Sequence, residues 1–145
     1  MNKNRIRPIA ICLFCNGDQI LVAEGYDSSK QYYFCRPLGG EIEFGERSQN
    51  AVRREIQEEI GAEIESLKLI GVVENIFLYE GQPGHEVVFV YDAEFTDKSL
   101  YERNEIHGSR QESDAGFTAT WRSVEEIENN NMRLVPEGLT GLLAK

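Results

Sequence analysis

The residues best equipped for chemistry are the carboxylates between Gly40 and Ala62: Glu46, Glu55, Glu58 and Glu59, with Arg54 among them. The stretch from Ser48 to Ile60 places Val52, Ile56 and Ile60 four apart on one stripe, and Gly61 stands where a helix would stop, so a helix is expected there. On such a helix Glu55, Glu58 and Glu59 are i, i+3 and i+4 neighbours and share one face. Like charges at that spacing destabilise a helix by roughly 0.2 to 0.5 kcal/mol per pair unless a cation occupies the face. Carboxylate oxygens suit hard cations such as Mg²⁺ or Mn²⁺, and Mg²⁺ is usually held by one or two carboxylates together with substrate phosphates. The pattern points to metal-assisted phosphate chemistry.

A solvated, glutamate-rich face with no ligand is the commoner origin of such a run. Two neighbouring features weigh against it here. Arg54 can pair with Glu58 at i+4 or grip a carboxylate through two hydrogen bonds, which is an orienting role. Gly39 and Gly40 read as part of a turn from residue 37 to residue 40, where the backbone can approach an ion or a phosphate closely.

With these residues the sequence resembles the Nudix hydrolase family, whose signature is G-x5-E-x7-R-E-U-x-E-E-x-G-U with U a bulky aliphatic. It stands here as Gly40, Glu46, Arg54, Glu55, Ile56, Glu58, Glu59, Gly61 and Ala62, the small Ala62 being the one departure. At a background frequency of about 0.1 per fixed residue, a chance match has a probability on the order of 10⁻⁵. Pro37, Leu38 and Gly39 before the box, and Trp121, Glu125 and Glu126 after it, also look like the family's surroundings. The resemblance implies an α/β Nudix fold, a mixed β-sheet sandwiched between helices (α/β/α). It implies that Glu55, Glu58 and Glu59 are metal ligands, that the Gly39 carbonyl adds another, that Glu46 acts directly or through water, and that Arg54 orients Glu55. The implied reaction is hydrolysis of the pyrophosphate linkage of a nucleoside diphosphate joined to another moiety, with Mg²⁺ or Mn²⁺ as cofactor. Family members often recruit a later glutamate as base or further ligand; Glu112 is the first choice and Glu86 the second.

The elements around this helix follow from local patterning. Ile6 to Cys15 and Gln19 to Glu24 are apolar and β-branched, separated by Asn16, Gly17 and Asp18, and read as a hairpin. A short strand is expected at Tyr32 to Phe34, two long strands from Leu67 to Tyr79 and from Glu86 to Phe95, and another from Phe117 to Trp121. Ser123 suits the N-cap of a helix through Glu128, and Pro136 the first turn of a closing helix. Residues 99–115 are polar and read as a loop.

The chain has 145 residues, enough for one domain spanning 1–145. Its 25 Asp and Glu against 15 Lys and Arg give a net charge of -10, which repels nucleic acid and anionic membranes, so neither is an expected partner; a small-molecule nucleotide substrate is what the Nudix resemblance implies. Cys12, Cys15 and Cys35 make neither a disulfide framework nor a zinc pattern, which favours the cytoplasm. Tyr32, Tyr33, Phe34, Phe77 and Tyr79 could stack on a base, and Tyr79 falls near where relatives acting on dinucleoside polyphosphates carry a tyrosine. No proline stands where ADP-ribose hydrolases carry one, since Pro83 comes later. Arg36 could meet a phosphate, while His85 and His107 lack partners at metal-ligand spacing. The alternative is a catalytically silent Nudix-like domain that binds a nucleotide metabolite; decay of the metal set would mark it, and every fixed residue is present.

Overall fold

The computed structural model describes residues 4–110 and 113–143. In chain order its elements are β1 (Ile6–Leu13), β2 (Cys15–Asn16), β3 (Gln19–Asp27), β4 (Tyr32–Arg36), β5 (Leu38–Glu41), α1 (Ser48–Ile60), β6 (Ile64–Tyr79), β7 (Gln82–Phe95), β8 (Glu105–Arg110), β9 (Ser113–Ser123), α2 (Val124–Asn129), β10 (Arg133–Leu134) and α3 (Leu139–Leu143). One mixed sheet runs β5-β1-β7-β6, and a second runs β10-β4-β3-β9-β8 with β2 paired to β3.

Burial along β1 explains the layering. Successive strand residues point to opposite faces, and Ile9 to Leu13 are all buried, so β1 is covered on both sides. Ala10 and Cys12 join a core with Ala51, Val52 and Ile56 of α1. Ile9, Ile11 and Leu13 join the opposite core with Ile127 of α2 and Leu139 of α3. Helices therefore lie on both sides of mixed sheets, as the α/β/α expectation requires.

The first predicted hairpin is realised only at its tip. Cys15 and Asn16 pair with Ile20 and Gln19 around Gly17, which adopts φ 64, but β1 itself pairs with β5 and β7 in the other sheet. A strand buried on both faces is most stable between two neighbours, so the chain changes sheets beyond β1. The predicted turn at 37–40 is instead strand β5, antiparallel to β1 with Ile11 opposite Gly39 and Ala10 opposite Gly40. The long hairpin of β6 and β7 turns at Glu80 and Gly81, both with positive φ, and Gln82 pairs with Tyr79, so β7 begins ahead of the expected Glu86. Ser123 caps α2 by accepting a hydrogen bond from the Glu126 amide at 3.0 Å. Pro136 lies ahead of the closing helix rather than in its first turn, because α3 begins at Leu139. The two sheets are tied together at their tips. Asp27 Oδ1 accepts hydrogen bonds from the amides of Ser29, Lys30 and Glu80, and the Glu80 carboxylate accepts from the Ser28 amide and hydroxyl.

Candidate active site

Helix α1 turns its apolar stripe into the core and its carboxylates toward β5. Its length matches the predicted span, and Gly61 terminates it in the left-handed conformation (φ 67) with its amide donating to Gln57 O. Arg54 organises the acidic residues. Its Nε and Nη2 donate to the two oxygens of Glu46 at 2.8 and 2.9 Å, a bidentate pair that lowers the pKa of Glu46 and raises that of Arg54. Its Nη1 alone serves both Glu55, at 2.9 Å, and Glu58, at 3.3 Å, and Nη2 also reaches the Glu41 carbonyl at 3.1 Å. Glu46 is thereby committed to Arg54. Glu55 and Glu58 both accept from the single nitrogen Nη1.

Glu59 differs from the others because it is buried, at 7% exposure. Desolvation pushes its pKa up to about 7; Glu55 pushes the same way, while Arg110 at 3.8 Å, the Gly39 amide and Arg36 favour the charged form without overcoming burial. The Gly39 amide donates to Glu59 Oε1 at 3.2 Å, which joins the helix to β5 at the centre of the acidic face. Gly40 has its own reason for lacking a side chain. A Cβ there would lie 2.4 Å from the Glu55 carboxyl carbon, so the carboxylate rests directly on the strand backbone.

The donor set of Glu55, Glu58 and Glu59 is all hard oxygen, and the space that a Cβ on Gly40 would fill is taken by the Glu55 carboxylate. These features fit Mg²⁺ or Mn²⁺ in donor chemistry. Among the described residues, no three His, Cys, Asp or Glu side chains already converge on a common point. Cys12 is buried and Cys15 exposed, and neither forms a disulfide.

A cavity of about 210 Å³ lies over this face, lined by Gly39, Gly40, Glu55, Glu58 and Glu59 together with Arg7, Arg36 and Arg110. The same three arginines line a larger cavity of about 490 Å³ whose walls include Tyr32, Phe34, Phe77 and Tyr79. The arginines thus form a wall common to both. Phe34 and Tyr79 meet edge to face at 5.8 Å, and Arg36, which the sequence reading considered for a phosphate contact, stands in the shared wall.

Glu86, the second choice for a later glutamate acting as base or further ligand, sits on β7 with 2% exposure, facing Arg7 at 3.5 Å and Arg36 at 3.4 Å. Its surroundings are those of an anchor for the arginine wall. Replacing it as Glu86→Gln removes the charge that holds both guanidinium groups, so KM should rise about 3- to 10-fold with kcat changed less than about 3-fold. Steady-state kinetics on any accepted substrate reads this split; a large kcat loss at constant KM would make Glu86 a reacting group. Glu112, the first choice, lies outside the described residues.

Arg7 and Arg110 escaped the sequence reading. They lie on β1 and β8, remote from the box, and no local pattern marks them. Residue types could have raised the question, since arginine is the usual residue for planar, bidentate phosphate contacts.

Comparison with known proteins places the fold. The chain shares its fold with a MutT Nudix hydrolase from Burkholderia pseudomallei at 22% identity and TM-score 0.60, covering 85% of this chain and 87% of that one. It shares it also with a Nudix hydrolase from Nitrosomonas europaea at 17% identity and TM-score 0.66, covering 97% and 87%. The profile of the NUDIX domain matches residues 5–139, and the chain accordingly belongs to the Nudix family as a pyrophosphohydrolase.

Proposed function

We propose that the enzyme hydrolyses a nucleoside diphosphate linked to another moiety, using Mg²⁺ or Mn²⁺ held by Glu55, Glu58, Glu59 and the Gly39 carbonyl. The observation that carries this reading is the contiguity of the two cavities: the acidic one and the aromatic one share Arg7, Arg36 and Arg110. A diphosphate seated at that wall has carboxylates for metal on one side and aromatic rings for a base on the other. Bound divalent cations supply neutralisation of the diphosphate and a lower pKa for the attacking water. Arg54 keeps Glu55 and Glu58 aimed at the acidic cavity, and Glu46 fixes Arg54 by occupying two of its nitrogens. Arg7, Arg36 and Arg110 receive phosphate oxygens, which spread charge in the transition state. Glu112 positions or deprotonates the water, so Glu112→Gln lowers kcat more than it raises KM. Phe34 and Tyr79 contact the base.

In this reading residues 1–145 act as a single domain in the cytoplasm on a small nucleotide, without nucleic acid or membrane. Three free thiols favour a reducing compartment, and no helix among the described residues is long and apolar enough to cross a membrane.

The test is a panel of nucleoside triphosphates, oxidised nucleotides, dinucleoside polyphosphates, nucleotide sugars and ADP-ribose with Mg²⁺ or Mn²⁺. Release of a nucleoside monophosphate or of phosphate is the expected readout. It should be insensitive to zinc-selective chelation, because the proposed ligands are oxygens. Full turnover in excess EDTA would contradict the reading, and binding without turnover across the panel would favour the silent alternative.

A further inference from the structure

We propose that the larger cavity holds a second anion site at Lys30 and Arg133, and that the substrate carries a phosphate monoester remote from the anhydride that is cleaved. This rests on the nucleotide reading above and adds the substrate class. Strand β4 supplies the frame. Tyr32, Phe34 and Arg36 alternate onto the face that lines the cavity. At about 3.3 Å of rise per residue, Tyr32 lies roughly 13 Å along the strand from Arg36 and its arginine wall. Two cations gather at the Tyr32 end. Strand β10 runs parallel to β4 with Arg133 beside Phe34, which brings the Arg133 guanidinium 4.7 Å from the centre of the Tyr32 ring. Lys30, in the turn ahead of β4, places Nζ 5.8 Å from the same centre.

Their lack of counter-charge sets these two apart. Arg7 and Arg36 face Glu86, and Arg110 faces Glu59. Among the described residues, neither Lys30 nor Arg133 has a carboxylate within ion-pair distance, although acidic residues outnumber basic ones by 25 to 15. The lining carboxylates are engaged elsewhere: Glu24 pairs with Arg122 at 3.0 Å, Asp27 accepts backbone amides, and Glu86 holds the arginine wall. Glu137, also on the lining, pairs with neither cation. Two uncompensated cations at one end of a concave, partly aromatic site attract a compact dianion, with arginine offering a planar fork and lysine a point charge. Phe34 stands between this end and Arg36, so a ring system fits between the two anionic groups. That separation, shortened by the reach of the Arg36, Lys30 and Arg133 side chains, suits a second phosphate on the nucleoside's own sugar better than one continuous polyphosphate chain.

The test avoids hydrolysis. Calorimetric binding of AMP, adenosine 2′,5′-bisphosphate and adenosine 3′,5′-bisphosphate is compared in the parent and in a Lys30→Gln, Arg133→Gln double variant. The parent should bind at least one bisphosphate about tenfold or more tighter than AMP, and the double variant should bring that ratio to within about twofold. Equal binding of AMP and both bisphosphates, no binding of either bisphosphate, or an advantage that survives in the double variant overturns the proposal. Failure of every panel nucleotide to be hydrolysed would sink the catalytic reading instead, leaving a bisphosphate preference intact.

Discussion

Glu58→Gln and Glu59→Gln are each expected to lower kcat/KM by at least ~10²-fold while leaving the metal-free fold about as stable as the parent, or more so. Gln keeps the shape and nearly the helix propensity of Glu, so a loss of activity without loss of fold isolates the charge. The two sites differ in what the charge costs the fold. At Glu58 the relief of repulsion is offset by the lost i+4 pair with Arg54, leaving stability near zero change. At Glu59 the carboxylate is buried and its pKa stands at about 7 against a usual 4.5. Between those values the folded chain binds a proton that the unfolded chain has lost. That contribution is complete below the lower value and disappears as pH rises through the upper one. Glu59→Gln removes the dependence and can still accept the Gly39 amide through Oε1, so its stability advantage should grow from about pH 5 to about pH 8, reaching roughly one to a few kcal/mol. Denaturant unfolding in EDTA across that range reads the trend. A variant less stable than the parent at high pH would show that burial is not what raises the pKa.

Gly39→Ala and Gly40→Ala should fail in different ways although they are adjacent. At Gly39 φ is 149, and a Cβ would stand 2.1 Å from Ala10 O and 2.6 Å from Ile11 Cα, both backbone atoms of the neighbouring strand. Neither can yield without opening the β1 and β5 pairing, so the substitution should cost about 3 kcal/mol or more. At Gly40 the clash is with the tip of a flexible side chain, the Glu55 carboxyl at 2.4 to 2.8 Å. The carboxylate can swing away, so stability should fall by about 1 kcal/mol or less while kcat/KM drops about 10²-fold. Thermal unfolding and kinetics on the two proteins separate the cases. A stable Gly39→Ala protein, or a fully active Gly40→Ala protein, would mean that β5 is not packed as described.

Helix α1 was legible from sequence because its determinants are local: a four-residue stripe, Gly61 as a stop and a box of fixed spacing. Strand β8 was not. Its outward residues Glu105, His107 and Ser109 are exposed and Ile106 is its one buried side chain, so an edge strand passes for a polar loop. The role of Gly39 and Gly40 as strand residues was hidden for a related reason. Consecutive glycines signal a turn, and only the close approach of β1 and of the Glu55 carboxylate explains them in a strand. The fate of Glu86 depends on Arg7 and Arg36, from strands β1 and β4, which only the folded chain brings to one buried carboxylate. Local patterning thus delivered the acidic helix, and tertiary packing delivered the arginine wall and the second cavity.

In the proposed function the face of Glu55, Glu58 and Glu59 holds a divalent cation. Titration of Mg²⁺ or Mn²⁺ into parent and Glu59→Gln protein, followed by thermal unfolding at several pH values, tests it most directly. In the parent, metal should raise Tm, and the apparent affinity should fall by up to about tenfold for each unit of pH below about 7, where binding must displace a proton from Glu59. In Glu59→Gln the metal-induced rise should shrink and its pH dependence flatten. Equal metal stabilisation of both proteins, with equal pH dependence, would show that this glutamate holds no metal and would contradict the assignment of the whole face.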